Sequence, residues 1–539
     1  MRICGAASLA NPASIELNPH HQANAIVILL RAAATVSTWT LVSRILGLAR
    51  EVILARGFGA GADMDAFNVA FRLPNLLRRL FAEGAFSQAF VPIFSETHAR
   101  EGDARTKVLL SNVSSALFWV LLAVSLAGIV GAPLLVWAIA TGFVGQSAKF
   151  ALATELTRWM FPYILFISLV SCAAGALNTY HRYAIPAATP VLLNAAMIAA
   201  ALLIAPRLEQ PVLALALAVL VGGVAQLALQ LPALARIGLL PRLNTPLAAL
   251  RDDGVRRVLR LMLPALFAVS VSQLSLIINT NIASHLVTGS VSWITYADRL
   301  MEFPTALLGV ALGTVLLPNL TRANAESRRE DYSRLLDWGL RLSCVLALPA
   351  AVGLALLGEG IIATLYQGGK FTAMDVARTA PALAGYAFGL LGLIAVKILA
   401  PGYYAQQDIK TPVKIALLVL VATQLANLML VPWLAHVALT VSVSLGALAN
   451  AALLLAGLLR RRVYKPLAGW ASFLLKVAVA LAVMAAPMAW LAPRIEWTTL
   501  APAPRAEILA VTLAAAIGLY FGTLWVLGFR ATDFRVRAK

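Results

Sequence analysis

Apolar runs of about 20 residues recur along almost the whole of this chain, and each is long enough to cross the roughly 30 Å hydrocarbon core of a bilayer. Only 12% of the 539 residues are charged, whereas soluble proteins have about 25% charged residues. We therefore predict an all-α polytopic membrane protein, with little sequence left over for a soluble domain.

Proline, glycine and charged residues divide the apolar sequence into about fourteen predicted transmembrane spans. These lie near 31–56, 64–97, 109–140, 152–180, 187–206, 212–235, 258–286, 290–321, 335–357, 377–400, 411–431, 437–459, 470–492 and 506–528. Basic residues are concentrated in the loops after even-numbered spans, as at Arg100 and Arg105, and they are scarce in the other loops, where Lys149 is one example. The positive-inside rule then predicts that both termini are cytoplasmic, which requires an even number of spans.

Two short patterns recur at an offset of about 220–227 residues. An Arg-Leu pair at positions 72 and 299 precedes a proline by about twenty residues in each copy, and a Thr-Pro-Val triplet at 189 returns at 411. We interpret this as a duplicated six-span unit, whose copies form two six-helix lobes around a central cavity. Residues 27–235 are predicted as the N-terminal lobe, 236–460 as the C-terminal lobe, and 461–539 as two extra helices with a cytoplasmic tail.

The first residues, 1–26, are polar and show no helical periodicity. They also lack the apolar core of a signal peptide. We interpret residues 1–26 as a disordered segment, or as a mispredicted extension of a protein that starts at the Val27 codon.

The composition argues against several function classes. The net charge of +19 falls mainly in short loops, where it sets topology, so no nucleic-acid partner is expected. Cys4, Cys172 and Cys344 give no disulfide framework, and the six histidines form no metal-ligand pattern. The sequence contains no phosphate-binding loop of the G-x-x-x-x-G-K-[ST] type and no clear nucleophile–base pair, so we expect neither an enzyme nor a cofactor.

Charged residues inside the predicted spans are the strongest indication of function. An arginine at mid-bilayer depth is unfavourable by about 2.5–3.5 kcal/mol even on the lenient insertion scale, so such residues normally face a wet interior and mark a substrate path. In this chain they are Arg44, Arg50, Glu51, Asp65, Arg72, Arg78, Arg79, Asp298, Arg299, Glu302 and Lys397. Helical spacing predicts one shared face for Arg44 and Glu51, and another for Asp65, Arg72 and Arg79.

Basic residues outnumber acidic ones in this set, which favours an anionic ligand over internal pairing. Arginine offers a planar fork that binds phosphate oxygens in two places and stays charged when desolvated. We therefore predict that a pyrophosphate or polycarboxylate head group is bound by Arg44, Arg50, Arg78 and Arg299. Two interpretations stay open for the supporting charges, which either line the cavity or pair as links between helices: Glu51, Asp65, Arg72, Arg79, Asp298 and Glu302. Lys397 either extends the site or snorkels toward the cytoplasm.

Four segments resemble the motifs of one known family. They are Ser43 to Arg50, Arg72 to Pro92, Tyr296 to Pro304 and Gln407 to Lys414. Through these motifs the chain resembles the MurJ (MviN) lipid II flippases of the multidrug/oligosaccharidyl-lipid/polysaccharide exporter superfamily, from about residue 27 to the C-terminus. Glu51 and Arg72 stand where relatives often carry Asp and Lys, and both differences preserve the charge.

The resemblance implies a fourteen-helix flippase of the bacterial inner membrane. Such a protein moves the undecaprenyl-pyrophosphoryl disaccharide-pentapeptide, lipid II, from the cytoplasmic to the periplasmic leaflet by alternating access, for peptidoglycan synthesis. The family's functional arginines match Arg44, Arg50, Arg78 and Arg299, and its lipid-tail groove matches the last two spans. The expected partners are lipid II and membrane lipids, with the cell-wall synthesis machinery as a further candidate and a monomer as the functional unit.

Three alternative functions predict different sequence patterns from those of a flippase. A cation-coupled exporter of the same fold predicts unpaired carboxylates in the membrane and few cavity arginines. A membrane-embedded transferase predicts acid and base residues clustered at the bilayer face, and a scaffold has no need of excess buried charge. The sequence fits none of these patterns as well. The energy source stays open between the membrane potential, a sodium ion and a proton.

Overall fold

The computed structural model describes the backbone of residues 19–79, 85–326 and 328–530, and the side chains of residues 34–79, 86–262, 273–309, 316–326 and 328–530. Helices joined by short turns make up most of these residues, and their extended structure is limited to one isolated β-bridge between Gly368 and Phe371. The all-α prediction is therefore confirmed.

The first part of the described chain contains the helices α1 (Pro19–Phe58), α2 (Ala62–Leu77), α3 (Ala85–Val130), α4 (Ala132–Ile139), α5 (Ser147–Met160), α6 (Tyr163–Thr179), α7 (Ala184–Ala199) and α8 (Leu213–Arg236). A π-helical turn, Ala200–Ile204, and a 3-10 turn, Ala205–Arg207, extend α7. The predicted N-terminal extension overlaps the start of α1, and its residues 1–18 lie outside the described part of the chain.

The second part contains α9 (Pro246–Arg251), α10 (Asp253–Ser284), α11 (Ser290–Ala325), α12 (Arg329–Leu356), α13 (Gly358–Tyr366), α14 (Ala373–Phe388), α15 (Leu390–Tyr404), α16 (Lys410–Leu434), α17 (His436–Arg460), α18 (Trp470–Leu491) and α19 (Pro502–Val526). Each of the fourteen predicted runs overlaps at least one of the helices in the two parts.

Among the described residues, ten helical segments are long and apolar enough to cross a membrane. The helices α1, α2 and α11, which carry most of the predicted site charges, are outside these ten. The count of fourteen spans therefore stays a prediction. Apolar side chains with little cover, such as Val130 (80% exposed) and Trp433 (85% exposed), fit a surface that faces lipid tails.

The helices pack mainly in two groups. In the first, α1 packs along α7, α7 along α8, and α3 along α6; in the second, α16 packs along α17, and α15 along both α17 and α11. The pairs α3 with α10 and α2 with α11 join the groups, and α18 and α19 pack on each other and on α12. The lobe boundaries after residues 235 and 460 stay predictions.

The long helix α3 is interrupted at Gly102, between the second and third predicted spans. Its φ of 77° and ψ of −177° lie in a region that is essentially restricted to glycine. The chain therefore changes direction between two helical halves without leaving residues for a separate loop.

The turn before α16 is held by Asp408, which lies outside the membrane-spanning segments. Its carboxylate accepts hydrogen bonds from Arg461 Nη1 at 2.5 Å, from Thr411 Oγ1 at 2.7 Å and from Thr411 N at 3.0 Å. The hydrogen bonds from Arg461 and Thr411 lower the pKa of this carboxyl to about 2. The charged carboxylate thus ties the start of α16 to the end of α17.

The connection from α17 to α18 is fixed to α12 through the buried carboxylate of Asp337. Its Oδ1 accepts hydrogen bonds from Tyr464 Oη and Trp470 Nε1, both at 2.7 Å, and from Leu467 N at 3.1 Å. Arg341 Nε lies 2.7 Å from the other oxygen. This set of contacts positions the last two helices against the second group.

Candidate functional site

Three adjoining cavities lie where the two helix groups meet. The N-lobe cavity, of about 380 Å³, is enclosed mainly by α2, α6, α7 and α8. The interlobe cavity, of about 130 Å³, lies between α2, α10 and α11, and the C-lobe cavity, of about 430 Å³, lies among α10, α11, α16 and α17. Arg79 and Arg299 line both of the first two cavities, and Arg72 and Asp298 line both of the last two.

The charges at this junction come from two helices that face each other. Arg72 lies on α2 and Arg79 lies two residues beyond the end of α2, while Asp298, Arg299 and Glu302 lie on α11. All five line the interlobe cavity. The structure thus brings together five of the predicted site residues.

An ion-pair network, formed by Arg50, Glu51, Arg79, Arg299 and Glu302, links α1, α2 and α11. Arg50 pairs with its neighbour Glu51. Arg299 lies between the two glutamates: its Nε is 3.5 Å from Glu51 Oε1, and its Nη1 donates to Glu302 Oε2 at 3.0 Å. Arg79 Nη2 is 3.5 Å from the other oxygen of Glu302. Arg299 is therefore the centre of a network that crosses from one helix group to the other.

Two guanidinium groups of the network keep unused donors. The Nε atoms of Arg50 and Arg299 are buried and donate no hydrogen bond to any described residue. Arg50 is held in place by Asn194 of α7, whose Oδ1 accepts from Arg50 Nη1 at 2.9 Å and whose Nδ2 donates to the Ser43 carbonyl oxygen at 3.1 Å. A buried donor without an acceptor is unfavourable, which favours an added acceptor at this point.

The remaining predicted cations surround the network. Arg78 lines the N-lobe cavity and donates from Nη2 to Asn75 Oδ1 at 2.9 Å. Lys397 Nζ donates to the Thr305 carbonyl oxygen at 3.2 Å. Arg44 is exposed. The ion-pair partners that the structure gives Glu51 are Arg50 and Arg299.

Asp65 is predicted as a supporting cavity charge, but it lies outside the three cavities. Its fully buried carboxylate pairs with Lys149 Nζ at 2.9 Å. It also accepts hydrogen bonds from Gly289 N at 2.8 Å, from Ser292 N at 2.9 Å and from Ser292 Oγ at 2.7 Å. These amides begin α11, and a carboxylate at a helix N-terminus is stabilising. Asp65 therefore positions the helix that carries Arg299.

Several polar residues of the site carry no signal in the sequence. Asn75, Asn194, Gln226 and Gln230 line the N-lobe cavity, yet a single amide in an apolar run belongs to no recognisable pattern. The sequence places Lys149 in a loop between two predicted spans, and its partner Asp65 is 84 residues away on another helix. Spacing along one helix cannot reveal such pairs, because they depend on how helices pack.

An apolar groove of about 380 Å³ lies beside the charged cavities, between α11, α12, α18 and α19. Pro304, Leu308, Met488 and Tyr520 are among the residues that line it. Pro304 follows Arg299 by five residues on the same helix. The groove and the ion-pair network are therefore both formed in part by α11.

A main-chain seal closes one side between the two helix groups, where the end of α1 meets the turn at residues 367–371. Lys370 N donates to the Arg56 carbonyl oxygen at 2.8 Å, and Tyr296 Oη donates to the Gly59 carbonyl oxygen at 3.0 Å. A Cβ atom on Gly59 would lie 2.5 Å from the Lys370 carbonyl oxygen, and one on Gly369 would overlap the Arg56 carbonyl oxygen. Both glycines have positive φ, 70° and 56°.

The net charge of the predicted site is positive. Without Asp65, the predicted set holds seven cationic side chains and three carboxylates. Such an excess in surroundings of low dielectric requires an anion or water. The described residues include no group of three or more His, Cys, Asp or Glu that could hold a metal ion. The arrangement suits reversible binding of an anionic ligand.

Comparison with known proteins gives a close match. A family model described as "Lipid II flippase MurJ" matches residues 54–504. A lipid II flippase MurJ from Burkholderia cenocepacia is 54% identical over 514 residues, which cover 95% of this chain and 100% of that protein. The chain belongs to the MurJ lipid II flippase family. A probable member from Vibrio cholerae is 39% identical over 519 residues, covering 95% of this chain and 98% of that protein.

The MurJ fold is also found among solved structures. A lipid II flippase MurJ in an inward closed conformation superposes with a TM-score of 0.77 at 23% identity, covering 91% of this chain and 98% of that one. An inward-facing MATE multidrug resistance transporter of the MOP superfamily gives a TM-score of 0.60 at 16% identity, covering 80% and 98%. The predicted resemblance is confirmed, and the MurJ family is one of transporters rather than enzymes.

Proposed function

We propose that this chain is a lipid II flippase, which moves the undecaprenyl-pyrophosphoryl disaccharide-pentapeptide from the cytoplasmic to the periplasmic leaflet of the bacterial inner membrane by alternating access. Its MurJ family membership supports the substrate. The structural observation that carries the proposal is the positive site between the helix groups, where the buried Nε–H groups of Arg50 and Arg299 donate no hydrogen bond to a described residue. A pyrophosphate supplies both negative charge and acceptor oxygens.

We assign the pyrophosphate to Arg50 and Arg299. The buried Nε–H of each donates no hydrogen bond to a described residue, and Glu51 forms an ion pair with both arginines as a shared counter-ion. Arg78 in the N-lobe cavity and the exposed Arg44 extend the positive surface along which the head group enters. The other cavity charges keep Arg299 in place or balance it: Arg72, Arg79, Asp298, Glu302 and Lys397.

We assign the lipid tail to the apolar groove between α11, α12, α18 and α19. Its lining is almost entirely hydrocarbon, with Pro304, Leu308 and Met488 as examples. Burying an apolar chain there is favourable by about 25 cal/mol per Å² of apolar surface removed from water, although a tail that leaves lipid gains less. The groove therefore serves to orient the tail beside the network more than to hold it tightly.

We place both termini in the cytoplasm, because the loops on that side carry most of the basic residues. The main-chain seal then lies on the periplasmic side, and it has to open before the head group can leave. We propose a monomer as the functional unit, since the cavities and the groove are formed within one chain. We also propose that this protein contacts the cell-wall synthesis machinery.

Substitution of Arg299 tests the function. Arg299→Ala is expected to reduce lipid II translocation about tenfold or more, because a charged hydrogen bond contributes about 1.5–3 kcal/mol. Arg299→Lys is expected to fail as well, since an ammonium cannot replace the planar fork that reaches both glutamates. The measurement is the exposure of lipid II on the periplasmic side of cells depleted of other flippase activity.

The matched control is Arg334→Ala, which removes an arginine paired with Glu330 and Asp331 at an exposed position outside the cavities. This variant is expected to support normal translocation. Full activity of both Arg299 variants, at equal protein level in the membrane, would contradict the assignment of the pyrophosphate.

A further inference from the structure

Two glutamines of α8, Gln226 and Gln230, lie four residues apart on the wall of the N-lobe cavity. Both are almost completely buried, with 3% and 0% of their surface exposed. Their amide groups meet the same residue of α7: Gln226 Nε2 donates to the Thr189 carbonyl oxygen at 3.2 Å, and Gln230 Nε2 donates to Thr189 Oγ1 at 2.9 Å. The pair therefore forms one unit with a shared anchor.

The orientation of both amides is fixed by what Thr189 can offer. Its carbonyl oxygen can only accept, so the Gln226 NH₂ group has to face it. Its hydroxyl donates to the Ile185 carbonyl oxygen at 2.8 Å, so the hydroxyl oxygen is left to accept from Gln230. The carbonyl oxygens of the two glutamines consequently point away from Thr189. Neither accepts a hydrogen bond from any described residue.

Two buried acceptors without donors are unusual in a folded protein. Both oxygens are covered in this conformation although both residues line the N-lobe cavity, so a ligand reaches the oxygens only after the residues that cover them move. The cavity is large enough for a sugar ring or part of a peptide, at about 380 Å³. Arg50, Arg78 and Arg299 line the same cavity. One space thus contains both cationic forks and neutral amide groups.

We infer that Gln226 and Gln230 form a second recognition site, which binds hydroxyl and amide N–H groups of the sugar–peptide part of the head group. The inference rests on the proposed function, because it requires a substrate that carries both an anion and such donors. The phosphates accept hydrogen bonds and need the arginines, whereas the sugars and the peptide bring donors and need acceptors. The glutamines then discriminate a lipid with a complete head group from one that ends at the pyrophosphate.

The test compares two lipids on the full-length protein in nanodiscs. Dissociation constants for lipid II and for undecaprenyl pyrophosphate are measured for the wild type, for Gln226→Leu, for Gln230→Leu and for the double variant. Each single variant is expected to weaken binding of lipid II about 3–10-fold and to leave binding of undecaprenyl pyrophosphate unchanged. Arg50→Ala is expected to weaken binding of both lipids.

Gln424→Leu is the matched control, because Gln424 also donates and accepts amide hydrogen bonds but lies on α16 outside the N-lobe cavity. It is expected to bind both lipids as the wild type does. Unchanged lipid II binding by the double glutamine variant, or equal weakening for both lipids, would overturn the inference while leaving the flippase proposal in place. If the wild type bound neither lipid II nor undecaprenyl pyrophosphate, the proposed function would be overturned, and the inference with it.

Discussion

Arg299 occupies a position in which a single side chain meets carboxylates from two helices. Its Nη1 donates to Glu302 on its own helix, and its Nε lies near Glu51 of α1. Partly buried ion pairs of this kind gain little net stability, because desolvation of the partners offsets their attraction. The role of the network is therefore to keep the Arg299 guanidinium charged and oriented for binding an anion.

The buried pair of Asp65 and Lys149 is expected to matter for stability rather than for binding. Lys149→Met leaves the Asp65 carboxylate buried without its ammonium partner, and breaking such a pair destabilises by about 3–5 kcal/mol. The double variant Asp65→Asn, Lys149→Met is expected to lose less than the sum of the two single variants, since their effects are coupled. Thermal unfolding of the purified protein in detergent measures all three.

The control for this prediction is Arg322→Ala, which breaks the exposed pair with Glu326. Exposed pairs contribute little because water screens the attraction, so the melting temperature of this variant should stay close to that of the wild type. If Lys149→Met melted at the same temperature as Arg322→Ala, the Lys149 ammonium would not stabilise the fold.

At the residue scale, charges were easier to predict from the sequence than neutral polar groups. Arg72, Arg79 and Arg299 stand out because a guanidinium inside an apolar run needs a reason. Gln226 and Gln230 do not stand out, since an amide can be satisfied in many places within a helix bundle. The placement of Asp65 away from the cavities also depends on Lys149, and no spacing rule connects residues on separate helices.

At the scale of helices, the break at Gly102 sets how two spans follow each other in α3. Gly102→Ala is expected to destabilise the protein by about 1–3 kcal/mol, because a residue with a Cβ rarely adopts this φ and ψ. A Cβ at this position would meet no atom within 4 Å, so the effect comes from the backbone alone. The measurement is the melting temperature in detergent.

Gly57→Ala is the paired control, because Gly57 lies inside α1 and also has no atom within 4 Å of an added Cβ. Alanine is favoured over glycine in a helix by up to about 1 kcal/mol, so this variant should be neutral or slightly more stable. Equal melting temperatures for both variants would show that the backbone at Gly102 adapts to alanine.

Hydropathy predicts where the helices are, but it does not predict where they are interrupted. The predicted span at 64–97 overlaps α2 and the first half of α3, and the predicted span at 377–400 overlaps α14 and α15. Periodic apolar residues continue across such breaks, so the sequence pattern stays uniform. The break between α14 and α15 depends on local backbone geometry and on packing between helices, which the apolar pattern does not report.

At the scale of the whole molecule, transport by alternating access requires the main-chain seal to separate. Cysteines at Arg56 and Lys370, in a background without native cysteines, can be joined by a short cleavable reagent, because the two residues share a hydrogen bond of 2.8 Å. The cross-linked protein is expected to lose lipid II translocation and to regain it on cleavage. The assay is the periplasmic exposure of lipid II.

Each single cysteine variant treated with the same reagent serves as the control and is expected to remain active. Translocation at the wild-type rate by fully cross-linked protein would mean that the two helix groups do not part at this side. The head group would then have to leave by another route.

The seal also has a consequence for how variation is distributed along the chain. The hydrogen bond from Lys370 N to the Arg56 carbonyl oxygen uses main-chain groups, which every residue except proline supplies, so it makes no demand on the Lys370 side chain. The Arg56 side chain, in contrast, donates from Nη2 to the Thr364 carbonyl oxygen at 3.1 Å. Gly59 and Gly369 cannot vary in this way, because an added Cβ would collide with the carbonyl oxygen of Lys370 in the first case and of Arg56 in the second. Saturation mutagenesis of this region would therefore show loss of function for most substitutions at Gly59 and Gly369, and tolerance of many substitutions at the neighbouring position Lys370.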